Sequence, residues 1–149
     1  MLPDEDLQRK NWLSVLAKAE ETQLAEALDR LDQQSGFRWL RRGETGAVMV
    51  RGRMAGTGTA FNMGEMTVSR AAVQLDNGIV GMGYAAGRVP RKAETIARID
   101  AQLQRNPAVA EEILAPLVRA QKGQKEESGR KAAATKVDFF TLVRGDNPK

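Results

Sequence analysis

Apolar positions in the first quarter of the chain recur at helical spacing. Trp12, Val15, Leu16 and Ala19 fall on one side of a first helix, and Leu24, Ala27, Leu28 and Leu31 on one side of a second. They predict helix across residues 7–34, interrupted by a tight turn at Glu21, with Thr22 capping the second helix and Gly36 closing it. Asp4, Glu5 and Asp6 lie where the positive end of a helix dipole favours carboxylates.

At Phe37 the period shortens toward two. Residues 37–42 read as a strand with Phe37, Trp39 and Arg41 on one face, and residues 47–53 as another with Val48 and Val50 opposite Met49 and Arg51. A glycine-rich stretch, 54–64, separates these from strand character over 65–75. The parity of apolar positions changes near Arg70, which predicts either a bulge there or a change in what the face packs against. Asp76-Asn77-Gly78 predicts a type I′ hairpin joining 73–76 to 79–82.

Pro90 ends the sheet region. Ala93, Ile96, Ala97, Ile99 and Leu103 form a broad apolar helical side, Asn106-Pro107 marks a break, and Val109, Ile113 and Leu114 resume the pattern, with Pro116 kinking it or starting another turn. The polar tract 121–136 is either a solvated helix or a linker. Apolar character returns at Val137-Asp138-Phe139-Phe140-Thr141-Leu142-Val143, so 137–149 is expected to add a final strand to the sheet or to dock on a partner through Phe139, Phe140, Leu142 and Arg144. The pattern is that of one α+β domain over 1–149: N-terminal helices, a central antiparallel sheet with its hairpin at Asn77-Gly78, and C-terminal helices. No internal repeat is visible.

Composition narrows the chemistry. The chain has 149 residues, 23 basic and 19 acidic side chains, and neither histidine nor cysteine. Disulfides, thiolate nucleophiles, cysteine-ligated clusters and histidine proton shuttles are therefore excluded within it. No apolar run approaches a membrane span and no secretory leader is evident, so a soluble, cytoplasmic protein without a membrane partner is expected. A formal charge of +4 suits an acidic or phosphorylated partner. Seven aromatics without the spacing of a stacking platform argue against nucleic acid.

The stretch from Arg51 to Arg70 carries the candidate chemistry. Gly56 and Gly58 allow close backbone approach to an anion, Thr57 and Thr59 add hydroxyls, and Arg51, Arg53 and Arg70 offer planar donors suited to phosphate. Neither a dinucleotide fingerprint nor a P-loop is present, so an ordinary connecting or interface loop stays open. Glu44 and Glu65 flank the stretch and could meet magnesium, a hydroxyl or an arginine; Glu65 beside Arg51 or Arg53 would form a ladder ion pair. Trp12 and Trp39 read as core anchors. Arg88, Arg91 and Lys92 form a basic rim before a helix.

The ordered residues resemble the PhnG family. They are Trp12-Leu13-x-x-Leu16-Ala17, Glu44-Thr45-Gly46, Met49-Val50-Arg51-Gly52-Arg53, Gly56-Thr57-Gly58, Phe61-Asn62-x-Gly64-Glu65, Thr67-x-x-Arg70-Ala71-Ala72-Val73, Gly87-Arg88 and the closing Val137 to Asn147. The resemblance implies a small subunit of the bacterial carbon–phosphorus lyase system, in a core complex with PhnH, PhnI and PhnJ, two copies of each, to which PhnK and PhnL attach. It implies a part in alpha-D-ribose 1-methylphosphonate 5-triphosphate synthase, where an alkylphosphonate displaces adenine from ATP. Adenine loss falls mainly to PhnI, and the later cleavage to PhnJ. No catalytic residue, metal or cofactor of its own is implied for this chain; ATP, with or without magnesium, is the substrate of the complex. Asn62 joins Arg51, Arg53, Gly56, Thr57, Gly58, Glu65, Arg70 and Lys92 as candidates for substrate contact. Where family members often carry His-Ala-Glu, this chain has Lys92-Ala93-Glu94, which leaves Lys92 an electrostatic contact rather than an acid–base group. The alternative is a small phosphate- or nucleotide-binding module outside phosphonate metabolism.

Overall fold

The computed structural model describes residues 4–31 and 36–145, with side chains except those of Ala55 and of residues 134–145. The predicted helical stretch forms two helices, α1 (Asp4–Lys18) and α2 (Glu21–Arg30). The boundary differs by two residues from the sequence reading. Glu20, not Thr22, caps α2, and its N–H donates to Gln23 Oε1 at 3.2 Å. The helix ends at Arg30 on a Leu31 cap, and Gly36 instead opens the sheet, its carbonyl accepting the Asp76 N–H.

Three strands follow in order, β1 (Phe37–Arg53), β2 (Ala60–Leu75) and β3 (Val80–Ala86), forming an antiparallel meander. The two short strands expected over 37–42 and 47–53 are one 17-residue strand. Two of the three irregularities in its pairing with β2 lie in β1, opposite the place where parity changes in β2. Register slips between Trp39 and Arg41, and again between Arg41 and Glu44. The first slip moves Arg41 off the face it was expected to share with Phe37 and Trp39. The bulge expected near Arg70 is carried by the partner strand, where Arg41 to Glu44 of β1 oppose the step from Ala72 to Arg70. Gly43, in the second irregularity, faces the Pro90 carbonyl so closely that a Cβ would overlap it, and its N–H donates to Glu94 Oε1 at 2.8 Å.

The hairpin at Asn77-Gly78 forms with a loop one residue longer than a type I′ turn. Gly78 N–H donates to Leu75 O and Leu75 N–H to Ile79 O, with Gly78 at φ 91°. This is the three-residue loop that ends on a left-handed residue.

α3 (Pro90–Arg105) covers one face of the sheet. Ser69, Ala71, Val73 and Leu75 point toward it from β2 and are buried. Gly81 and Gly83 let β3 approach until a Cβ would run into the carbonyls of Ala97 and Ala93. We expect Gly83→Ala to lower stability by about 1–3 kcal/mol through overpacking, read as a fall in the thermal midpoint. Ala93, Ile96, Ala97, Ile99 and Leu103 are all fully buried, as their spacing predicts. Ile96, Ile99 and Leu103 meet Leu16 of α1, Leu24 of α2, and Ala110, Ile113 and Leu117 at the start of α4 (Ala110–Gly145) in the larger core cluster, while Ala93 and Ala97 pack with Ala71, Val73 and Leu75 of β2 in a second. Each such Leu or Ile contributes about 1.5–3 kcal/mol by burial.

Two compact units divide the chain, the first ending at Leu117 and the second beginning at Val118. In the second, the tract 121–136 is helix, with Lys131 pairing to Glu127 at 3.3 Å one turn away. Residues 137–145 continue that helix and add no strand to the sheet. The polar tract is rich in Ala, Gln, Glu, Lys and Arg, strong helix formers, and helix extension from a formed helix is cooperative. Phe139, Phe140, Leu142 and Arg144 are thus helical residues whose side chains lie outside the description, as do residues 146–149 altogether. Among the described residues no helix is long and apolar enough to cross a membrane.

Candidate functional site

β3 pairs with β2 only from Val68 to Gln74, yet β1 and β2 continue to pair from Ala47 opposite Thr67 out to Arg53 opposite Ala60. Beyond the third strand the sheet therefore becomes a two-stranded ribbon, closed by the turn Met54–Gly56 and residues 57–59. Every described ribbon side chain is exposed or half-buried. A two-stranded hairpin is at best marginally stable in water, so an exposed ribbon calls for something else to contact.

Strand alternation gives the ribbon two chemically distinct faces. Pairing partners share a face, so Met49 stands with Glu65, Arg51 with Asn62, and Arg53 with Ala60. That face continues the helix-covered side of the sheet beyond the helices and is polar. The other carries Val48, Met66, Val50 and Phe61, with the Met63 side chain lying beside Gly52. A register slip between Val50 and Arg51, opposite Met63 and Gly64, sets the pairing of Arg51 with Asn62. Gly64 sits there at φ 147°, backbone that few other residues adopt.

Four of the sequence candidates, Arg51, Arg53, Asn62 and Glu65, are brought onto this one polar face. Arg51 has no ion-pair partner among the described residues, and Arg53 reaches only the Gly58 carbonyl, at 3.5 Å. Glu65 stands opposite Met49 and forms none of the expected ladder pairs. Gly56, Thr57 and Gly58 form the tip. There the N–H groups of Thr57 and Gly58 both donate to the Met54 carbonyl, at 3.3 and 2.7 Å, and are turned into the loop rather than toward an anion.

The remaining candidates lie elsewhere. Arg70 is level with Glu44, seven residues along β1 from Arg51, or about 24 Å at the rise of a strand. It lies on the opposite face. Lys92 is in the first turn of α3, half-buried at a cleft it shares with Glu21, Leu24 and Thr95. The described residues contain no cluster of three or more carboxylates able to hold a metal ion.

Arg70 Nε donates to Glu44 Oε1 at 2.7 Å, and Arg41 donates to the same oxygen. Hydrogen bonds from Arg41, then Arg70, hold the Glu44 carboxyl below its ordinary value of 4.5. A carboxyl lowered in the folded state adds stability above its unfolded pKa and loses it as pH falls through the folded value. An NMR titration of the Glu44 carboxyl carbon should give a midpoint below 4.5, moving upward in Arg70→Gln.

One group that matters to the site escaped the sequence reading. Asp100 is fully buried and accepts from Arg9 Nε and Nη2, at 3.2 and 2.9 Å, and from Trp12 Nε1 at 2.8 Å. It also accepts from the Met82 N–H at 2.9 Å and from Gln104 Nε2 at 3.1 Å. The hydrogen bonds that Arg9 donates to Asp100 raise the pKa of the Arg9 guanidinium above its ordinary value. A signal was present: Asp100 lies one turn after Ile96 and Ala97, on the apolar stripe itself. Ser69, buried in β2, similarly ties three strands' surroundings together, bonding to Thr45 Oγ1, the Gly87 carbonyl and the Val89 N–H. These anchors fix the base from which the ribbon extends.

A small α+β chain that offers cations and apolar surface on one exposed ribbon is built to work against other molecules. Residues 7–145 match the profile of a family described as phosphonate metabolism protein PhnG. The chain belongs to the PhnG family. It is 40% identical over 146 residues to the alpha-D-ribose 1-methylphosphonate 5-triphosphate synthase subunit PhnG of Rhizobium meliloti (strain 1021), an alignment spanning 94% of this chain and 91% of that relative. Membership replaces the alternative of a nucleotide module outside phosphonate metabolism.

Proposed function

We propose that this chain is a subunit of alpha-D-ribose 1-methylphosphonate 5-triphosphate synthase, assembled in the cytoplasm with PhnH, PhnI and PhnJ and visited by PhnK and PhnL. Its part is to lend positive charge and surface to a reaction centre shared with those chains. A phosphonate oxygen bonds to the anomeric carbon of ATP as the bond from that carbon to the adenine nitrogen breaks. The electron pair leaves with adenine, which takes up a proton.

Arg51 and Arg53 suit the triphosphate end of this substrate. Guanidinium groups stay charged at any working pH and bind phosphate oxygens in pairs. Here they serve to bind and orient, while proton delivery falls to companion subunits, since this chain has no histidine. Lys92, set apart from the ribbon, serves a partner's acid instead of the triphosphate. Residues 137–149 serve as a docking segment. The observation that carries the reading is the gathering of Arg51, Arg53 and Asn62 on one polar ribbon face, in a chain of this family.

The test is reconstitution. ATP and methylphosphonate are incubated with PhnH, PhnI, PhnJ and PhnL, with and without this chain, and the sugar phosphonate is followed by phosphorus NMR. Product is expected only with the chain present. Equal product without it would end the proposal.

A further inference from the structure

The face of the sheet turned away from α3 buries Val68 but leaves a run of large apolar side chains exposed. Val80, Met82 and Tyr84 of β3 point outward there and are 36%, 52% and 46% exposed. Met66 continues them into the apolar ribbon face, 42% exposed, and Phe61 and Met63 extend it to the tip at 45% and 64%. Methionine and aromatic side chains in a run of this kind are what interface centres are enriched in. Burial of such a run by a partner would also supply the support that the isolated ribbon lacks.

The rim of this face identifies the occupant. Arg38, paired with Gln74, and Arg41, on Glu44, border the apolar run on the β1 side, and Arg70 of β2, also on Glu44, stands beside Tyr84. Three guanidiniums against one carboxylate leave the rim positive. A second copy docking about a two-fold axis would set this rim against itself, and facing like charges are costly. A different polypeptide with an apolar centre and carboxylates at its edge meets both requirements.

Resting on the synthase reading above, we infer that the outer face of the sheet, from Met82 and Tyr84 through Met66 to Phe61, is the docking surface for a companion subunit with an acid-rimmed apolar patch. The polar face of the same ribbon is thereby left open toward substrate. One ribbon thus separates assembly from anion contact, face by face.

Met66→Glu with Met82→Glu tests this, because both sites are exposed and the core is untouched. Sedimentation velocity of the full chain against separately purified PhnH, PhnI and PhnJ gives the binding, and thermal unfolding checks the fold. Wild type should be monomeric and bind at least one subunit, with the double variant weaker by roughly 30-fold or more, as for loss of central interface contacts. Arg38→Glu, which leaves the apolar face intact, should weaken binding at low salt and less so at high salt; it decides the matter if the double variant fails to fold. Undiminished binding by the variants, while wild type still supports product formation, would overturn the docking surface and leave the synthase reading standing. A wild-type dimer made monomeric by the double variant would assign the face to a second copy and overturn the inference. Wild type that binds no subunit and is not needed for product would overturn both.

Discussion

Asp100→Ala should cost this protein about 3–5 kcal/mol, the range for removing one partner of a buried charged pair. The carboxylate has no exposed surface and accepts from α1 through Arg9 and Trp12, from β3 through the Met82 N–H, and from Gln104 on its own helix. Truncation leaves the Trp12 Nε1–H and the Met82 N–H without that acceptor, and Arg9 without its counter-charge. Small domains are stable by only about 5–15 kcal/mol, so a large share would be lost. Urea unfolding should show a much lower midpoint with little change in slope. Asp100→Asn keeps the shape and one acceptor oxygen, so it should fall between wild type and alanine. A midpoint for Asp100→Ala within experimental error of wild type would mean that the knot does not hold α1 and β3 to α3.

Arg51→Ala combined with Arg53→Ala should lower formation of the sugar phosphonate by roughly ten- to a hundredfold, the loss expected when a charged hydrogen bond of about 1.5–3 kcal/mol is removed. Both side chains are exposed and neither supports the core, so stability should change little. Size-exclusion profiles of the assembled complex should also be unchanged. If the loss appears mainly as a raised KM for ATP, the arginines bind substrate and transition state alike; an equal fall in kcat would mean they act chiefly in the transition state. Failure of the complex to assemble would instead put both arginines in a subunit contact.

Much of the framework could be read before the fold was known, because burial and period coincide. The stripe Ala93, Ile96, Ala97, Ile99 and Leu103 is fully buried as its spacing requires. Gly78 ends the β2–β3 turn because its left-handed backbone suits that position. What could not be read depended on contacts distant in sequence. Gly43-Glu44-Thr45-Gly46 looks like a turn, yet it stays in β1 because Gly43 packs on Pro90 and bonds to Glu94, some fifty residues on. Val137 to Val143 has strand-like composition, but a preceding tract of strong helix formers carries the helix through it.

The candidate site was half legible. Arg51, Arg53, Asn62 and Glu65 are near in sequence and share a face once β1 and β2 pair. Arg70 looked like their neighbour because only residue numbers were known. A hairpin turns sequence distance from its tip into spatial distance, so a residue ten positions from the turn lies far down the ribbon. The amides of Thr57 and Gly58 looked available for an anion until the loop's own hydrogen bonds to Met54 were visible. Asp100 was hidden because one acid in a helical apolar stripe also fits the boundary of a solvated face.

In the proposed role the chain supplies charge and surface while companion subunits make and break the bonds. Adenine release from ATP and methylphosphonate by the purified chain alone, followed by chromatography, addresses that claim most directly. No adenine above the protein-free blank is expected, with release restored when the companion subunits are added. Adenine and sugar phosphonate formed in equal amounts by this chain alone would contradict it.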